Sequence, residues 1–302
     1  PDRHTMVSLS VGCEGRPVMT VGLSAAAVTH LSDEFRATPE SAEPTSDSGD
    51  VLLATRHHPA KMIRGDRNAF CTALGLWNLR GRIGQKDRVE RRRALDFLER
   101  CEDPEKPGQF AFYPHDDRPP LFARLRNDVD DTVLAGAALV RAGRRPTSWL
   151  AGLIRQQLDP HRVAYIPPSA ERWWREGVYR TWLDEQLWPR VVDCCVNVNV
   201  AAALKLAGLD EPRRLEPICE MVQAGVSRLG DTPERCRLLC PFYPHPIELV
   251  HALRRAVTDG VEALRRPLSD LQQQCWVDEA LGQPPGVTPI CGGLDGRIRW
   301  TS

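Results

Sequence analysis

The sequence predicts an all-α fold, an α/α toroid of stacked helical hairpins, complete or incomplete, with a small β-hairpin segment at the N-terminus. Three observations carry that expectation. A helix with small and apolar residues on most sides is followed, four times over, by one with a charged face. The first-type helices start near residues 68, 131, 193 and 245, a loose repeat of 63, 62 and 52 residues. Polar residues stand at the head of each of them.

In chain order, "MVSLSV" and "VMTVGL" flank the turn-forming "GCEGRP" and predict a hairpin. Residues 36–50, "RATPESAEPTSDSGD", are polar and rich in Pro and Ser, which predicts a mobile linker. The expected organisation is therefore 1–50 as hairpin and linker, and 51–302 as the toroid domain. From residue 66 the pattern turns helical. "RNAFCTALGLWNL" precedes "KDRVERRRALDFLERC", and "DDTVLAGAALVRAG" precedes "TSWLAGLIRQQL". "VDCCVNVNVAAALKLAG" precedes "RRLEPICEMVQAGVSRL", where Pro217 is expected to bend or interrupt the helix. "HPIELVHALRRAV" precedes "DGVEALRRPLSDLQQQ". Hairpins of this kind bury their apolar sides only by stacking, which sets the apolar helices in an inner layer, parallel to one another.

Forty basic and forty acidic residues cancel, so no global field favours nucleic acid or an anionic membrane. No apolar run approaches the ~20 residues of a membrane span. Nor is there a charged-then-apolar signal pattern at the N-terminus. Ten scattered cysteines are too sparse for a disulfide scaffold, so a reducing, cytoplasmic setting is expected. There is no Gly-rich phosphate loop with Lys, no nucleophile elbow and no C-x-x-C pair, which disfavours nucleotide-dependent chemistry and serine hydrolysis.

If the inner helices are parallel, their polar heads converge on one end of one cavity. These are Asp66 and Asn68; Asp128, Asp130 and Asp131; Asp193, Asn197 and Asn199; and His245 and Glu248. Capping accounts for one or two acids at the start of a helix, by satisfying free N–H groups. In "DVDDT" that explains Asp128 and Asp131 but leaves Asp130. A carboxyl beside two others is expected to have a raised pKa, which suits acid–base catalysis near neutrality. Asp193 and Asn197 share one helical face, and Asn197 and Asn199 in a Val/Ala-rich helix are either a polar cavity lining or a satisfied buried network. "ERWWREGVYRTWLDEQLW", residues 171–188, offers Arg172, Arg175, Arg180 and Trp182. With Arg124 and Arg126 these would clamp an anionic group on an apolar body; the alternative is a loop packed down by its own aromatics. The string Phe-Tyr-Pro-His occurs at 112–115 and again at 242–245, with rim packing the expected role and His115 and His245 as possible proton carriers.

"DVDDT" at the head of an inner helix resembles class II terpene cyclases of the squalene–hopene type. The resemblance implies a general acid that protonates an alkene or epoxide, a role that falls on Asp130. It covers the motif and the hairpin layout of about 66–275, without the repeated Gln-Trp motifs or a second barrel, and with only 6% aromatic residues. The layout also resembles protein prenyltransferase β-subunits, which implies a zinc alternative on Asp193, Cys195 and His245.

The expected function is a small-molecule ring-forming cyclase of natural-product biosynthesis, without a redox cofactor. It would work either by protonation, or by intramolecular displacement of an anionic leaving group with azacycle or aziridine-type closure. The alternatives are a zinc-dependent prenyl-type transferase and a non-catalytic subunit that completes a partner's toroid. Four helix pairs are fewer than the six of a closed toroid, so either further helices or a partner subunit completes the ring.

Overall fold

The computed structural model describes residues 68–78, 85–118, 125–183, 192–243 and 245–282, with the backbone of five short strands. Strands β1 (Met6–Ser10) and β2 (Thr20–Ser24) pair antiparallel, with Met6 opposite Ser24. Strand β3 (Leu52–Arg56) pairs antiparallel with β4 (Ile63–Arg67) and parallel with β5 (Arg297–Ile298). The second group was not anticipated, because neither "LLATR" nor "IRGDR" shows a clear alternation of apolar and polar residues. The linker at 36–50 lies outside the described residues.

The rest is mostly helical. The first layer is α1 (Ala69–Asn78), α3 (Val129–Arg141), α5 (Cys194–Ala207) and α8 (Ile247–Thr258). These pack side by side in the order α1–α3–α5–α8. The second layer is α2 (Gln85–Arg100), α4 (Thr147–Leu153), α6 (Pro212–Leu229) and α9 (Arg265–Gln272), each packed on the first-layer helix before it. Two short helices complete the chain, α7 (Pro233–Cys236) between α6 and α8, and α10 (Cys275–Gly282) after α9. The four helix pairs therefore match the four sequence units.

The division of labour follows from composition. Helix α5 is buried almost all round, from Cys194 through Leu204, and packs against α3, α8, α4 and α6. Helix α6 buries one stripe, including Ile218, Met221, Val222 and Val226. Leu98, Leu139, Leu150 and Leu204 are fully buried in the continuous core, each contributing roughly 1.5–3 kcal/mol. Among the described residues no helix is long and apolar enough to cross a membrane.

Pro217 does not interrupt α6, which runs unbroken for 18 residues. A proline leaves the carbonyl four residues earlier without its helical partner. That carbonyl belongs to Arg213, and the Arg162 guanidinium donates to it at 2.9 Å. Gly177 lies against the same spot with φ +86; a Cβ there would come within 3.0 Å of the Arg162 guanidinium and 3.2 Å of the Pro217 ring. The break expected at Pro217 is thus absorbed as a docking point for the chain between α4 and α5.

Candidate functional site

The heads of the first-layer helices are capped one by one. Asn68 Oδ1 accepts from the Cys71 N–H at 2.8 Å, Asp128 Oδ1 from Asp131 at 2.7 Å, and Asp193 Oδ1 from Val196 at 3.1 Å. For α8, His245 Nδ1 accepts from the Ile247 N–H at 3.1 Å. Capping therefore occupies Asn68, Asp128, Asp193 and His245, four of the polar residues that the sequence placed at these heads. His245 is held below the usual histidine pKa by burial and by Arg237, so it stays neutral and accepts. His115 lies 3.8 Å from Asp103, away from this group.

Asp130 is different. It sits at the second position of α3 and is 7% exposed. Tyr243, from the loop before α8, donates its hydroxyl to Asp130 Oδ2, and Asn199 of α5 donates its amide to Oδ1 at 2.8 Å. Asn199 Oδ1 in turn accepts from the Arg255 guanidinium of α8 at 3.3 Å. The Tyr243 ring also stands edge-on to Phe70 of α1, at 5.8 Å between centroids. Residues from the head of α3, the middle of α5, the loop before α8 and the last turn of α8 are thus linked through one carboxyl group.

The electrostatics of this group follow from its dryness. Burial raises the pKa of Asp130, while the Tyr243 and Asn199 donors and the Arg255 charge pull it down. Asp131 is pushed well up by burial and then by the Asp128 and Asp130 charges. Asp128 is pushed up to about 7, by burial first and the Asp130 charge second. Burial takes Asp193 and Glu248 each up to about 8. Tyr243 is raised well above its ordinary value by burial and then by Asp130, so it keeps its proton and donates. Burial thus favours the neutral forms of Asp193 and Glu248, while Asp130 has donors on both of its oxygens.

These shifts have a direction for stability. Between their ordinary values near 4 and about 8, the folded protein holds protons on Asp193 and Glu248 that the unfolded chain releases. Their contribution is complete below the ordinary value and is lost as pH rises through about 8. The melting temperature is expected to fall by several degrees between about pH 5.5 and about pH 8.5. In Glu248→Gln that fall becomes shallower, which differential scanning calorimetry reads directly.

A cavity of about 630 Å³ lies among the first-layer helices. Ala73, Ala137, Ala138, Ala202 and Ala203 leave the room for it, and Trp77 is the aromatic residue on its wall. Asn199 and Arg255 line it, with Arg91, Arg141 and Lys205. Of the polar residues that the sequence placed at the helix heads, only Asn199 is on the wall; Asp130 shares a face of α3 with the wall residues Val133 and Ala137, about one turn and two turns before them, and reaches the hollow through Asn199.

The other sequence candidates fall elsewhere. Asn197 does not line the hollow: its oxygen accepts from the Tyr179 N–H at 2.8 Å, and its amide donates to the Tyr179 and Asp193 carbonyls, both at 2.9 Å. It is the satisfied network. Thr181 accepts from the Val129 N–H and Leu183 donates to the Asn127 carbonyl, so the chain at 181–183 does lie over the head of α3. Trp182 is part of that strap, edge-on to Phe242 at 5.5 Å. Arg175 donates to the carbonyls of Arg172 and Trp174 and lies 3.7 Å from Glu220 on α6, so it is turned to the second layer; Arg172 is exposed, and neither is on the cavity wall. Arg126 is exposed, Arg180 is half-buried in the strap, and neither is on the cavity wall. Arg124 lies outside the described residues.

The zinc alternative does not fit. Asp193 and His245 are turned to backbone N–H groups. Among the described residues no three His, Cys, Asp or Glu side chains are grouped to hold a metal ion.

Sequence reasoning missed Tyr243, which it assigned to rim packing, and the cavity cations Arg91, Arg141, Lys205 and Arg255. A signal existed for one: Arg255 is seven residues after Glu248, hence on the same face of α8.

Comparison of the chain with protein-family models, with curated proteins and with solved structures finds no match.

Proposed function

We propose that the chain is a ring-closing enzyme acting on a small molecule, with Asp130 as the group that moves the proton. Its four hairpins would form an arc of an α/α toroid that a partner subunit completes. The carrying observation is the buried chain Tyr243–Asp130–Asn199–Arg255, which joins a carboxyl group to a cation on the wall of a hollow. Two donors on Asp130 stabilise its charged form, while dryness keeps that form basic.

Displacement is the version these features favour. An amine lone pair forms the new N–C bond as the C–O bond to a sulfate or phosphate group breaks, and the oxygen departs with the bonding electrons. Asp130 takes the proton from the nitrogen. Asp128 and Asp131 tune that carboxyl group, and the cavity holds nucleophile and leaving group in line. A cavity with one aromatic residue and four cations on its wall suits an anionic group better than a carbocation.

Incubation with amino sulfate and amino phosphate esters in ¹⁸O-water, followed by mass spectrometry, tests this. Release of the anion with a cyclic amine free of ¹⁸O supports ring closure. Release with ¹⁸O in the alcohol or the anion means hydrolysis and removes the proposal.

Protonation-initiated cyclisation has one observation in its favour, the D-x-D-D pattern with Asp130 in a dry site. Tyr243→Phe separates the two. Losing the hydroxyl donor raises the Asp130 pKa further. If Asp130 is a base, the acidic limb of the pH–rate profile moves to higher pH and neutral turnover falls by about tenfold. If it is an acid, activity extends to higher pH instead.

A further inference from the structure

Four cations line the cavity, but they are not equivalent. Arg141 is paired with Asp259 at 2.6 Å, and Lys205 with Asp210 at 2.6 Å. Arg255 donates to the neutral amide of Asn199 at 3.3 Å, which leaves most of its fork unused. Glu248, seven residues earlier on the same face, does not neutralise it: burial keeps that carboxyl group protonated up to about pH 8. Arg91 has no ion pair among the described residues. The cavity therefore carries two cations not matched by a carboxylate pair, and one of them is fixed in orientation by the amide that also holds Asp130.

We infer that Arg255, helped by Arg91, is the oxoanion subsite of this cavity and receives a tetrahedral sulfate or phosphate group. A guanidinium fork matches two oxygens of such a group, and partial burial strengthens the match. Asn199 separates this subsite from Asp130, so the anion and the proton-accepting carboxyl group lie on opposite sides of one amide. The inference rests on the ring-closure proposal only for the identity of the anion as a leaving group; the subsite itself is tested without turnover.

The experiment is calorimetric titration of the full chain, at low ionic strength, with inorganic sulfate and separately with inorganic phosphate. One-to-one binding of either is expected, with the tighter of the two naming the leaving group. Arg255→Met is expected to weaken it by at least about tenfold, Arg255→Lys less, and Asp130→Asn not at all. Arg91→Met, on a different helix, carries the test if Arg255→Met fails to fold, and is expected to weaken binding by about threefold or more. No binding to the wild-type chain, or undiminished binding to a folded Arg255→Met, overturns the subsite. Arg255-dependent binding without any ring closure in the ester assay would instead remove the ring-closure proposal and leave the subsite standing.

Discussion

Asp130→Asn is expected to lower ring-closing turnover by about 10²–10⁴-fold while the protein stays folded. The amide keeps the shape of the carboxyl group, and its oxygen still accepts one of the two hydrogen bonds from Tyr243 and Asn199. What it loses is the capacity to take a proton. The neighbours do not replace it, because Asp128 and Asp193 are engaged as helix caps and Asp131 is held protonated by burial and by the adjacent charges. Single-turnover kinetics on the variant, beside its thermal melt, is the measurement. Turnover within about threefold of wild type, with a native melt, would remove Asp130 from the chemistry.

Asn197→Ala is expected to do the reverse: it should cost about 3–5 kcal/mol of stability and reduce turnover per folded molecule far less. The Asn197 side chain is fully buried and makes three hydrogen bonds to backbone groups of Tyr179 and Asp193. Truncation strands the Tyr179 N–H and carbonyl where water does not reach, each buried orphan costing about 1–3 kcal/mol, while the Asp193 carbonyl keeps the Asn197 N–H. The midpoint of urea unfolding at unchanged slope reads this out. A shift worth less than about 1 kcal/mol would mean that the strap is held by other contacts.

The contrast between these residues shows what was readable in the sequence. The hairpin pairs were legible because a helix with Ala and Gly on most sides beside one with a single apolar stripe is a pattern of composition and period alone. Asp130 was legible as an excess over capping, although capping engages only Asp128, and the Asp131 carboxyl group that the sequence assigned to it is buried without a hydrogen-bond partner. Asn197 and Asn199 look alike in sequence, yet one faces the strap and the other the hollow, because two residues along a helix turn the side chain by more than half a circle. Arg175 misled for a different reason. An arginine fork can be satisfied by backbone carbonyls of its own loop, and nothing in residue type reveals that. Tyr243 was hidden because its value lies in a contact 113 positions away in the chain.

The joint at Pro217 bears on how the molecule is made. Residues 162 and 177 leave the ribosome well before residue 213, whose carbonyl Arg162 grips, and before the pyrrolidine ring on which Gly177 rests. The bonds of residues 181–183 to the head of α3 need no later chain, but the anchor at Arg162 and Gly177 has no seat until that stretch has been synthesised and has coiled. A nascent polypeptide halted before residue 213 would hold this cover without its second anchor.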